Sequence, residues 1–313
     1  MFDKNVNYCI DAIRQNCILY NDLLFDKNNI FSFLHLVHLI VENTMSMSSQ
    51  YLSYKTPRIS IPLSKVHNKH KILQSCFLSS RIYDKELKKD MLIQQKGETM
   101  YVTFKGCSTL KDFMTSMDMR NCKIHGNDVG IHNGFCEQFK NIQSEITDEI
   151  VSRCMKGDVT DVVFNGHSRG AAQSQIVSLF LGDTLKDDGI KVHCYCFGSP
   201  KTGNYLFKEA LEYTLQDNLL RIETFNDLVC LLPMKSTYQH AGDALIMKNK
   251  SIFIPDEDDK FFSYYNNDYI EFVNEMTNAR LLNKEQITKM IDYHSCNNYI
   301  KNLKGVLRQI KNH

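Results

Sequence analysis

Gly166-His167-Ser168-Arg169-Gly170 places a serine midway between two glycines. The run before it, Val159 to Asn165, is an apolar β-type run. The run after it carries Ala172, Ile176, Leu179 and Phe180 at helical spacing. A serine at a junction of strand, sharp turn and helix projects its hydroxyl at the strand's carboxyl end, and side chains in place of the glycines would collide with the neighbouring strand and helix. The chemistry open to it is nucleophilic attack on a carbonyl, with the helix N-terminus and the Arg169 amide placed to stabilise a developing oxyanion. The five letters recur by chance in many chains; the flanking strand and helix give them weight.

A serine hydroxyl is a poor nucleophile until a histidine takes its proton, and that histidine needs a carboxylate to hold its tautomer and stabilise its charged form. For an elbow of this kind the chain order is serine, acid, histidine, so the partners are sought after Ser168. Asp227 follows the strand-like run ending at Phe225 and is the best-placed acid. Asp243 and the Asp256 to Asp259 cluster compete with it, the cluster reading as a solvated turn. Three histidines follow Asp227: His240, His294 and the terminal His313. His294, in Asp292-Tyr293-His294-Ser295 beside the helical stretch Asn298 to Ile310, leads, although a lone histidine is more often structural.

These residues need a scaffold, and 313 residues with 43% hydrophobic content can bury a full core. Four short apolar runs read as strands: Met100 to Phe104, Val159 to Asn165, Ile190 to Phe197 and Leu220 to Phe225. Phe135, Phe139, Ile142, Ile146, Ile150 and Cys154 recur at helical spacing between the first two. The alternation predicts an α/β fold, a mostly parallel sheet flanked by helices. Residues 1–95 read as a helical N-terminal region packed on the same domain as the 96–313 core, and no linker marks a boundary. The most apolar run, Phe31 to Val41, is interrupted by two histidines and is too short to span a bilayer.

A net charge of +1 creates no field to gather nucleic acid. The 11 cysteines are odd in number and lack C-x-x-C pairs, so neither a disulfide framework nor a zinc site is expected. The nearest couple, Cys194 and Cys196, is expected to face opposite sides of its strand. With the polar opening of the chain, this predicts free thiols and an intracellular, cytoplasmic setting.

Six segments in order resemble the fungal-type (class 3) lipases, a branch of the α/β-hydrolases, over about Met100 to Tyr299. Val102 to Cys107 resembles that family's F-R-G-T/S loop, and Ile131-His132-Asn133-Gly134-Phe135 its V-H-x-G-F segment. Cys196 to Asn204 is similar to T-F-G-x-P-R-V-G-N, and Asn226 to Pro233 to the acid-bearing segment. Tyr238 to Gly242 and His294-Ser295 with Tyr299 complete the series. The resemblance implies a triad of Ser168, Asp227 and His294, an oxyanion hole from the amides of Cys107 and Arg169, and no cofactor or metal. It makes His132 and His240 structural or wall residues. The chain departs from the family at Cys107, Arg169, Ala171 and Leu228, where threonine or serine, leucine, glycine and proline are usual. The Arg169 side chain then reads either as a site for an anionic group or as the partner of an acid.

Leu110, Phe113, Met114 and Met117 form one apolar helical face, which by spacing alone fits core packing as well as a lid; the resemblance makes it the lid. The activity implied is hydrolysis of carboxylic esters of lipids at a membrane or droplet surface, as in triacylglycerol lipases. Phospholipase A1, a thioesterase, and a non-catalytic lipid-binding protein of the same fold are the alternatives. If the stripe is a lid, Phe113→Asp depresses activity on emulsified lipid more than on a soluble short ester. Equal losses on both would remove the lid.

Overall fold

The computed structural model describes residues 66–84, 86–87, 89–107, 121–123, 128–156, 158–225, 227–232, 237–248, 250–252 and 292–309. In chain order the helices and strands are α1 (Lys69–Arg81), β1 (Met91–Lys96), β2 (Thr99–Phe104), β3 (Asn121–Lys123), β4 (Gly130–His132) and α2 (Asn133–Met155). There follow β5 (Asp161–His167), α3 (Arg169–Asp187), β6 (Lys191–Phe197), α4 (Tyr205–Leu215) and β7 (Leu219–Thr224). The series closes with β8 (Asp243–Lys248), β9 (Ser251–Ile252) and α5 (Cys296–Gln309). The main sheet has the order β1-β2-β5-β6-β7-β8-β9. Its strands from β2 to β8 are parallel, and β1 and β9 close the edges antiparallel.

Strands buried on both faces explain the near-continuous apolar runs in the sequence. On one face Val102, Phe104, Val162, Phe164 and Val192 meet residues of α2, α3 and α4, including Phe139, Ile176 and Leu211. On the other, Tyr101, Val163, Tyr195, Phe197 and Ile222 meet α1 and α5 through Ile72, Cys76, Tyr299, Leu303 and Val306. The alternation by single residues is the two-residue period of a strand. Parallel strands joined by helices deliver all their carboxyl ends to one edge. The segments after β2, β5, β6 and β7 therefore meet there.

Two expectations about cysteine are corrected. Cys194 and Cys196 share a face, with their sulfurs 3.5 Å apart, because residues two apart in a strand point the same way. Cys122 and Cys136 form a disulfide. The β3 and β4 strands pair antiparallel, Cys122 opposite Ile131, and α2 starts directly after β4, which brings its first turn to Cys122. That closure depends on a turn between distant residues and leaves no mark in cysteine spacing. The lid candidates Leu110, Phe113, Met114 and Met117 lie outside the described residues, as do Asp256 to Asp259 and His313.

No described helix is long and apolar enough to cross a membrane. The disulfide spans a sequence separation of 14 residues. A loop of that size predicts that Cys122→Ser lowers unfolding free energy by about 3 kcal/mol, read as a lower urea midpoint under oxidising conditions. An unchanged midpoint would contradict a structural role for the bond.

Candidate active site

β5 ends at His167 and α3 begins at Arg169, so the whole reversal falls on Ser168, at φ 61° and ψ −128°. Few L-residues adopt such a backbone, at a cost of about 1–3 kcal/mol, and it persists only where the surroundings over-determine it. They do here. A Cβ on Gly166 would lie 2.4 Å from the Gly170 carbonyl, and one on Gly170 would lie 2.1 Å from Phe104 O. The Ser168 N–H donates to Phe197 O at 2.9 Å, and Ala171 N–H donates to Ser168 O at 3.0 Å.

Asp227 sits beyond the end of β7, wholly buried, and caps the short 3-10 turn Leu228–Leu231 by accepting from Val229 N–H at 3.0 Å. Its other oxygen, Oδ2, accepts from His294 Nδ1 at 2.8 Å and from the Tyr299 hydroxyl at 2.6 Å. Burial alone would raise this carboxyl's pKa. The opposing His294 and the hydrogen bonds from His294 and Tyr299 outweigh burial and hold it below the ordinary value. Tyr299 is itself oriented by accepting from Thr224 N–H at 3.1 Å. Gly198, at φ +57°, passes under this group, and a Cβ there would lie 2.9 Å from Asp227 Oδ2 and 3.2 Å from His294 Cε1.

With Nδ1 donating to Asp227, His294 keeps Nε2 as an acceptor. Ser168 Oγ makes no hydrogen bond to a described residue in this conformation, and such contacts often tighten only with substrate bound. His167 packs against His294 with ring centroids 4.5 Å apart, and its Nε2–H donates to the His294 carbonyl at 2.7 Å. Its Nδ1 accepts from the Tyr83 hydroxyl at 3.2 Å. Burial, reinforced by the neighbouring His294, pushes the His167 pKa down to about 3, so the ring is neutral. Burial likewise drives the Tyr83 hydroxyl far above its ordinary pKa.

The predicted residues Ser168, Asp227 and His294 therefore gather at the carboxyl edge, together with Cys107 and Arg169. Cys107 follows Gly106, whose Cβ would stand 3.2 Å from Ser168 Cβ. The competing acid Asp243 opens β8, opposite Leu220 at the far edge of the sheet. His240 Nε2 donates to Cys230 O at 2.6 Å, and His132 is buried with its ring stacked on Phe135. The Arg169 side chain turns to the carbonyls of Lys105 and Gly106. Sequence reasoning gave no role to His167, Tyr83 or Gly198. The signal for His167 was its place inside the elbow, and for Gly198 its place between Phe197 and the Ser199-Pro200 pair. Tyr83 carried none. Among the described residues one group of side chains could share a metal ion, Cys122, Cys136 and Glu137, but its two sulfurs are bonded to each other.

Residues 101–237 match the family model described as lipase (class 3). A secreted mono- and diacylglycerol lipase of Malassezia restricta is 29% identical over 113 residues, 36% of this chain and 37% of that one. A secreted mono- and diacylglycerol lipase of Fusarium solani is 24% identical over 108 residues, 34% and 31% of the two chains. The match thus spans about a third of the curated relatives' length. In fold, the chain is similar to the Rhizomucor miehei lipase propeptide complex at TM-score 0.50 and 17% identity, covering 60% of this chain and 71% of that one. The lipase of Rhizopus microsporus var. chinensis gives 0.50 and 15%, over 61% and 78%. These relatives correct the expected cytoplasmic setting: they are named as secreted proteins, and the disulfide departs from the free thiols on which that expectation rested. The family match, the parallel sheet and the strained serine elbow agree, and residues 101–237 of the chain are similar to the class 3 lipases.

Proposed function

We propose that the protein hydrolyses carboxylic esters of lipids through an acyl-enzyme on Ser168. The observation that carries this is the pairing of the buried Asp227 with His294 beside the elbow, with the His294 Nε2 left as a base. His294 takes the proton of Ser168 Oγ as the oxygen adds to the ester carbonyl. The Cys107 and Arg169 amides receive the oxyanion, and Asp227 stabilises the imidazolium. Collapse expels the alcohol, protonated by His294; water activated by the same base then frees the acid and restores Ser168. Mono- and diacylglycerols are the first substrates to test, since the matched relatives are named for them. The lipid surface is the expected partner.

A serine-directed fluorophosphonate should label Ser168, as mapped by peptide mass spectrometry, with no labelling in Ser168→Ala and at least 100-fold slower labelling in His294→Ala. A folded protein that stays unlabelled, with and without detergent, would reject the hydrolase.

Acid should undo the site by a calculable route. His167 has a folded pKa of about 3 against an ordinary 6.5, so the unfolded chain binds the proton first between these values. Its contribution is complete above about pH 6.5 and is lost as pH falls toward 3. Asp227, also depressed, adds a loss only below its ordinary 3.8. The urea midpoint should therefore fall between pH 7 and pH 4.5, and fall less in His167→Gln. An identical fall in both proteins would show that His167 is not the group responsible.

A further inference from the structure

Arg169 stands where the resembled family usually has leucine, and the residue is 8% exposed. Its Nη2 donates to Gly106 O at 3.0 Å, with Lys105 O at 3.5 Å. Gly106 O belongs to the peptide unit whose nitrogen is that of Cys107. A peptide unit is planar, with its C=O and N–H directed oppositely, so anchoring the oxygen fixes where the Cys107 N–H points. A cationic donor also draws electron density from the amide, and hydrogen bonds in such a chain strengthen one another in a low-dielectric interior. Leucine can do neither.

We propose that the Arg169 guanidinium is a positioning residue that aims and polarises the Cys107 amide toward the oxyanion. The residue then serves that charge twice, directly through its own N–H and, by way of the Gly106 carbonyl, through the N–H of Cys107. This rests on the assignment of Ser168 as the nucleophile. It also explains how the chain does without the threonine or serine usual at position 107: the side-chain hydroxyl is absent, and the main-chain donor beside it is reinforced from behind.

The test uses the full chain and a soluble p-nitrophenyl ester. Arg169→Met should lower kcat about 10- to 100-fold, with KM within about threefold, because removal of an oxyanion donor costs about 100- to 1,000-fold and this change weakens one without removing it. Millimolar methylguanidine should restore several-fold of the lost kcat, and sodium chloride at equal ionic strength should not. Arg169→Gln, which keeps a donor without the charge, should fall between wild type and Met, and it carries the test if the Met variant does not fold. Wild-type kcat in either variant, or a loss in a stably folded Met variant that methylguanidine leaves unrecovered, overturns the proposal. An inactive, unlabelled wild-type protein would instead remove the nucleophile assignment beneath it.

Discussion

Ser168 is held in a backbone conformation that it would not keep alone, and the organisation around it follows from that constraint. The turn exists because α3 leaves β5 at close range. That approach is open only with Gly166 and Gly170 lacking side chains, one facing the other's carbonyl and the second facing the end of β2. The bond from Ser168 N–H to Phe197 O then ties the elbow to β6, whose continuation through Gly198 runs beneath Asp227 and His294. Any movement of the serine relative to its neighbours must disturb three strands of a close-packed sheet, which is what keeps a few ångströms of geometry constant.

Electrostatics follow from the same burial. A carboxylate without water is tolerable only when donors surround it, and Asp227 has Val229 N–H, Tyr299 and His294. His167, equally buried but without a carboxylate partner of its own, stays neutral and acts as a strut between Tyr83 and the His294 carbonyl. Two imidazoles in ring contact thus have different environments: one faces an anion and the other a hydroxyl and a carbonyl. In the proposed mechanism it is the first that carries the proton.

Much of this was legible in the sequence where it depended on local periodicity. The runs predicted from Met100, Val159, Ile190 and Leu220 coincide with β2, β5, β6 and β7 to within about two residues. The elbow was readable because strand, turn and helix are contiguous, and Asp227 because it follows a strand. The meeting of Asp227 and His294 was reached through ordered motifs, since nothing in the spacing of residues 67 apart requires contact. What stayed hidden depends on long-range closure. The Cys122 to Cys136 bond needs the turn back from β3 to β4, Tyr83 reaches the elbow only through the docking of α1, and the direction of the Arg169 side chain depends on how closely β2 ends beside it.

The central claim is that Ser168 and His294 act as one unit. The direct test is the double-mutant cycle in kcat/KM on a soluble ester, from Ser168→Ala, His294→Ala and the two combined. The account predicts that the double variant is scarcely slower than either single variant, because removing one member already disables the other. Losses that multiply would mean the two side chains act independently, and the proposed acyl-transfer mechanism would not stand.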